Sequence, residues 1–135
     1  MSVSEKQTQL IEDLSFIEDR QERLAAIVDR ARRRPSFPAE SKTEAHRVAG
    51  CISQVWVTGE LRDNALHFVF DADSPLVKGL VALLIDLYEG ATPADIVATE
   101  PTLFTDLGIT RDLTPTRQNG LIAVRAKIKA IAAAA

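Results

Sequence analysis

Residues 52–71, ISQVWVTGELRDNALHFVFD, read as extended chain. In 52–57 the apolar residues Ile52, Val55, Trp56 and Val57 alternate imperfectly with Ser53 and Gln54. A short second strand is expected in 58–64, closing in a turn at Asp63-Asn64. Residues 65–71 alternate more cleanly, with Leu66, Phe68 and Phe70 on one face and His67 on the other. Three short strands joined by tight turns predict an antiparallel meander. Trp56 is expected in the core.

The flanks read as helix. Downstream, Ser74-Pro75 opens a helix through Tyr88 that is apolar nearly all round, with Gly90 at its end, so it belongs in the interior. Thr92-Pro93 starts a short helix over ADIVA, and Glu100-Pro101 another over TLFTDL, ending at Gly108. A last long helix runs from Thr116 to about Ala132, burying Leu121, Ile122, Val124, Ile128 and Ile131. Upstream, TQLIEDL (8–14) predicts a short helix capped by Thr8, and 18–34 a second with the stripe Leu24, Ile27, Val28, Ala31. That helix stops before Pro35, and 35–47, with two prolines, is a linker. The class is α+β: a three-stranded antiparallel sheet packed against several helices, in one domain over 1–135.

Bulk properties exclude several functions. The chain is 46% hydrophobic and 26% charged, ordinary for a soluble globular protein. Its net charge of −3 provides no general attraction for nucleic acid or an anionic membrane. Arg32-Arg33-Arg34 suits the C-terminal end of a helix dipole, and a nucleic-acid reading lacks an aromatic platform. The apolar run LVALLI, 80–85, is far short of the roughly 20 residues of a membrane span. MSVSEKQTQLIEDL has no apolar signal region, and the expected compartment is the cytosol. Residues 59–112 hold ten acids against Arg62, Lys78 and Arg111, whereas 113–135 hold only Arg117, Arg125, Lys127 and Lys129. That asymmetry reads either as solvated helix faces or as a polar partner surface.

Reactive groups are few: His46, His67 and one cysteine, Cys51. A single thiol excludes an internal disulfide and a Cys-based zinc or iron–sulfur site within the chain. A lone cysteine is commonly a small buried hydrophobe. Cys51, however, follows Gly50, which permits a tight turn, and His46 and Arg47 lie close upstream, where they could favour the thiolate.

Around Cys51 the chain resembles the SufE family, with its relative CsdE, the sulfur-acceptor proteins of iron–sulfur cluster assembly. The family pattern R-V-x-G-C-x-S-Q-V-W is met by Arg47-Val48-Ala49-Gly50-Cys51-Ile52-Ser53-Gln54-Val55-Trp56. The resemblance continues through LSFIEDRQERLAAIVDRARRRPSFP (14–38), LVKGLVALLIDLYEGATPADIV (76–97) and FTDLGITRDLTPTRQNGLIAVRAKI (104–128). It departs at Ile52, where glutamine is common, at His46, where asparagine is common, and around Pro75.

This resemblance implies a SufE/IscU-like fold and a sulfur carrier rather than a stand-alone enzyme. Cys51 would take persulfide sulfur from a pyridoxal-phosphate-dependent cysteine desulfurase of the SufS or CsdA type, speed its turnover, and deliver the sulfur to a SufBCD-type scaffold. The pyridoxal phosphate would reside on the desulfurase, with no cofactor or metal on this chain, which would act as a monomer. Gly50 would hinge the cysteine loop. Arg47, His46, Gln54 and Arg117 would support the loop or the thiolate, while Asp71, Asp73 and Lys78 would serve partner docking. The alternative is a regulatory module that docks a desulfurase without accepting sulfur.

Overall fold

The computed structural model describes residues 1–51 and 53–135; the strand position expected for Ile52 lies outside them. The first helix, α1 (Val3–Ser15), begins five residues earlier than the sequence pattern indicates. Ser2 and Glu5 form a reciprocal capping box there, satisfying two backbone N–H groups that a helix start leaves free. Thr8, expected as the cap, lies inside α1 and donates its hydroxyl to the Ser4 carbonyl. Asp19 caps α2 (Arg20–Arg30), which tightens into a 3₁₀ turn over Ala31–Arg33 before Pro35. Of the expected stripe on α2 only Ile27 is fully buried, and Leu24 is exposed.

The sheet has two strands, not three: β1 (Val55–Arg62) and β2 (Ala65–Ala72), paired antiparallel from Val55↔Ala72 to Arg62↔Ala65. The expected separation of 52–57 from 58–64 does not occur: β1 runs through both. Gly59 sits inside β1 because a Cβ there would stand 2.7 Å from Ile131 and 3.2 Å from the Phe68 ring. The glycine therefore makes room for two core side chains. Asp63 and Asn64 turn the chain with φ of 50° and 62°, the left-handed values a two-residue hairpin turn requires. Residues 46–48 lie along the free edge of β1, joined by Val48 N–H to Val55 O (2.8 Å) and Val57 N–H to His46 O (2.9 Å). Two bonds cover the edge but do not make a third strand.

Val55, Val57, Leu66, Phe68 and Phe70 turn the inner sheet face toward α3 (Pro75–Tyr88) and α6 (Pro115–Ala134). Helix α3 is buried from Gly79 through Ile85 and again at Leu87 and Tyr88. Polar ties bind the shorter helices α4 (Pro93–Ala98) and α5 (Leu103–Asp106) to the rest. Asp95 accepts from the Val3 N–H, and buried Gln7 accepts from the N–H groups of Thr102 and Leu103. Thr114 caps α6, two residues before the expected start, and Ile122, expected in the core, is 67% exposed. Arg125 of α6 is buried instead. Its guanidinium donates to the Ile96 and Thr99 carbonyls and to Glu100, and lies over the Tyr88 ring.

At the crossing of α2 and α3 a Cβ on Gly79 would stand 2.6 Å from the Val28 Cα, against backbone that cannot swing aside. Gly79→Ala therefore loses more through the forced separation of the two helices than it gains in helix propensity. The expected outcome is a destabilisation of about 1–3 kcal/mol in urea unfolding. An unchanged midpoint would show that the crossing relaxes without loss.

Candidate functional site

Cys51 lies in the loop between the 46–48 edge segment and β1. Gly50 precedes it with φ +83°, a left-handed conformation that side-chain-bearing residues adopt only at a strain. The loop settles on α6, so Cys51 is half-buried rather than projecting. Its thiol borders a cavity of about 240 Å³ between α3 and α6. Val77, Leu80 and Val81 of α3 and Leu121 and Val124 of α6 form the apolar walls. Thr116 and Arg117, in the first turn of α6, add a polar side.

Burial pushes the Cys51 thiol above its ordinary pKa, and the nearby Asp73 charge adds to this. A backbone hydrogen bond from Ser53 and the Arg47 charge act in the opposite direction without overcoming it. The resting molecule thus holds its only cysteine mainly as the thiol.

Residues singled out from sequence fall into two groups. Gly50, Arg47, Arg117 and Asp73 surround Cys51. Arg47 is half-buried, its Nε without a partner among the described residues, and its Nη1 lies 3.8 Å from Glu44. Arg117 is exposed at the cavity, and its backbone N–H donates to Thr114. The Gln54 side chain is exposed, while its carbonyl accepts from the Asp73 N–H (3.1 Å), joining the end of the cysteine loop to the turn after β2.

His46, Asp71 and Lys78 are engaged elsewhere. His46 Nδ1 lies 2.7 Å from the Ser41 carbonyl, and its ring borders a separate groove on the outer sheet face. Asp71 accepts from Lys42 (2.9 Å) and Lys78 (3.1 Å) and from the Ala72 N–H. Lys42 also stands 5.1 Å from the centre of the Trp56 ring. Trp56 is therefore not in the core: on β1 it faces away from Val55 and Val57 and is half-covered by a cation. Lys42 was hidden from sequence reasoning in a mixed linker whose path only the folded chain reveals.

The arginine run is structural in its last member. Arg34 donates to the Phe68 carbonyl (2.7 Å) and to Asp86 and Glu89. Glu89 also accepts from the Phe68 N–H and pairs with His67 Nδ1 at 2.6 Å. Among the described residues, Arg32 and Arg33 pair only with Asp29 at the surface. Among the described residues, no three His, Cys, Asp or Glu side chains gather as metal ligands, and no helix is long and apolar enough to cross a membrane.

Comparison with known proteins adds the following. The family model SufE, described as "Fe-S metabolism associated domain", matches residues 8–132. An uncharacterized SufE-like protein of Synechocystis sp. is 46% identical over 81 residues, covering 60% of this chain and 51% of that protein. An uncharacterized SufE-like protein of Rhizobium meliloti is 30% identical over 126 residues, 90% of each chain. A third, from Rhizobium etli, is 30% identical over 126 residues, 90% of this chain and 85% of its own. Among solved structures, a hypothetical protein of Thermus thermophilus superposes with a TM-score of 0.80 at 23% identity, covering 96% of this chain and 94% of that one. At that identity the likeness is one of fold.

The Asp71 cluster has a pH signature. Burial alone would raise its carboxyl pKa, but Lys42, the Ala72 N–H and Lys78 outweigh burial and hold it below the usual range. Folding therefore favours the ionised form. That contribution is complete above the ordinary carboxylate value of ~4 and is lost as pH falls through the lowered one. Because both lysines are partly exposed, Asp71→Asn is expected to lose only about 1 kcal/mol at pH 7. In urea unfolding across pH, the gap between wild type and variant should close as pH falls below the ordinary carboxylate range. A gap independent of pH would mean that the pairing contributes nothing.

Proposed function

This chain belongs to the SufE family, whose members are associated with iron–sulfur metabolism, and from that premise we propose that Cys51 is a sulfur acceptor. A pyridoxal-phosphate-dependent cysteine desulfurase of the SufS type, carrying a cysteine persulfide, docks over the cysteine loop. The Cys51 thiolate attacks the outer sulfur, the sulfur–sulfur bond of the donor breaks, and the desulfurase cysteine leaves as a thiolate. Cys51 then carries the persulfide, and the desulfurase is free for another turnover. A SufBCD-type scaffold takes the sulfur in a second exchange of the same kind. The reaction requires only a thiolate and access.

The observation that carries this reading is where the thiol sits. The chain's one cysteine borders a largely apolar cavity of about 240 Å³. A single water-sized occupant takes about 30 Å³ of liquid volume, so one added sulfur atom can be sheltered there. At rest the raised thiol pKa keeps Cys51 quiet. Docking moves the loop outward about Gly50, relieving the burial that holds the proton, while Arg47 and Arg117 favour the anion. Asp73, exposed beside the thiol, belongs to the docking rim, with Asp71 and Lys78 on its margin. The carrier acts as a monomer in the cytosol, and the pyridoxal phosphate stays on its partner.

The raised thiol pKa also favours a second reading, a regulatory module that docks a desulfurase and accepts nothing. Incubation with a SufS-type desulfurase, pyridoxal phosphate and L-cysteine, followed by intact mass without reductant, separates the two. A carrier gains one sulfur atom, and Cys51→Ser abolishes both the gain and the stimulation of the desulfurase. A module that stimulates equally with serine at this position, and gains no mass, would replace the carrier reading.

A further inference from the structure

Gly120 is buried in α6 directly beneath the cysteine loop. A Cβ built on it would stand 3.2 Å from the Cys51 Sγ, tighter than an ordinary carbon–sulfur contact, and among the described residues outside its own helix turn would meet nothing else within 4 Å. Its φ is not in the left-handed region, so the backbone does not call for glycine here. Within a helix, glycine is about 1 kcal/mol worse than alanine. Neither local geometry nor helix propensity accounts for it, and the sulfur does. The next turn continues the arrangement: the Cβ direction of Gly50 points at the Ala123 methyl, 3.8 Å away.

The two sides of this contact are unequally free to move. Helix α6 is anchored by Val124 and Ile128 in the core and by the Arg125 bonds to the Ile96 and Thr99 carbonyls. Cys51 stands on a loop that turns at a left-handed glycine. An added methyl would therefore displace the sulfur rather than the helix.

We propose that Gly120 is a positioning residue for Cys51: its missing Cβ is the seat that sets how deeply the sulfur withdraws between docking events. Where helix α6 carries hydrogen, the sulfur sinks toward the cavity. With a methyl there, the cysteine rides outward, nearer Asp73, Arg47 and Arg117, the charged groups around it. The seat's use in shielding a persulfide rests on the carrier reading, whereas the seat itself does not.

Alkylation by iodoacetamide reports on this site alone, because the chain has one thiol. For Gly120→Ala, the rate constant at pH 7 is expected to rise roughly threefold or more, as reactivity follows thiolate fraction and exposure. The pH–rate profile should shift to lower pH, because burial is the leading cause of the raised thiol pKa. The Tm should hold or rise. A profile superimposed on wild type, or a lower Tm with unchanged alkylation, would overturn the proposal by showing that the sulfur did not move. A stability cycle with Cys51→Ala gives a second reading. Once the sulfur is absent, Gly120→Ala should raise the Tm by more than it does in the Cys51 background, and strict additivity would overturn the seat. Should Gly120→Ala alone fail to fold, folding of the double variant is the expected rescue, and failure of both overturns the proposal. Altered alkylation without sulfur uptake in the desulfurase assay leaves the seat standing and removes the carrier. Sulfur uptake with unaltered alkylation does the reverse.

Discussion

Helix α3 has almost no face to give to water, and the remaining elements are arranged to cover it. Its residues from Gly79 to Ile85 are all buried, which requires neighbours on every side: α2 across Gly79, the hairpin through Leu66, Phe68 and Phe70, α6 through Val124 and Ile128. At roughly 25 cal/mol per Å² of apolar surface removed from water, that enclosure dominates the favourable side of folding. It also places the candidate site. The cavity beside Cys51 is the seam where α3 and α6 diverge near the first turn of α6, and the cysteine loop closes over it.

Several of the half-buried charges in this molecule hold its elements together. Arg34 and Glu89 tie the end of α2 to β2 and the end of α3, Arg125 ties α6 to α4, and Asp71 is held between two lysines. Each of these is partly or largely withdrawn from solvent, where a charge is tolerated only with partners. The surroundings of Cys51 differ. Asp73 and Arg117 are exposed there, and the charges of Asp73 and Arg47 act on the thiol in opposite directions, which leaves it under the control of burial. In the proposed acceptor role, control by burial suits a sulfur atom that is to be quiet in isolation and reactive in contact.

The helices and the hairpin turn were legible wherever a local signal sufficed. Pro75, Pro93, Gly90, Gly108 and Asp63-Asn64 all stand at the boundaries their chemistry demands. The misplacements share a cause. Residues 52–57 and 58–64 read as two strands when the ring of Phe68 and the methyl of Ile131, which Gly59 accommodates inside β1, are not yet in view. Trp56 reads as core until Lys42 crosses the outer sheet face. Arg125 reads as one more base on a basic helix until the Ile96 and Thr99 carbonyls converge on it. At the candidate site, Cys51 and its flanking motif were readable because they are contiguous, and Arg47 stayed close because a single bridge to Trp56 holds its strand edge. His46, one residue earlier, still belongs to the turn that begins at Thr43, and that turn lays its ring against the Ser41 carbonyl.

From residue order alone come the α+β class, the all-round burial of α3, the presence of a single thiol and the resemblance that frames its chemistry. These depend on composition, periodicity and short-range motifs, which exist before the chain folds. The depth of Cys51, the company of Asp73 and Arg117, the pairing of Asp71 and the closeness of Gly120 to the sulfur depend on where α6 returns against α3. That return brings residue 51 against residue 120, a contact across about half the chain. No local pattern encodes such a distance; packing decides it, because the placement of α6 that buries Val124 and Ile128 also satisfies Arg125.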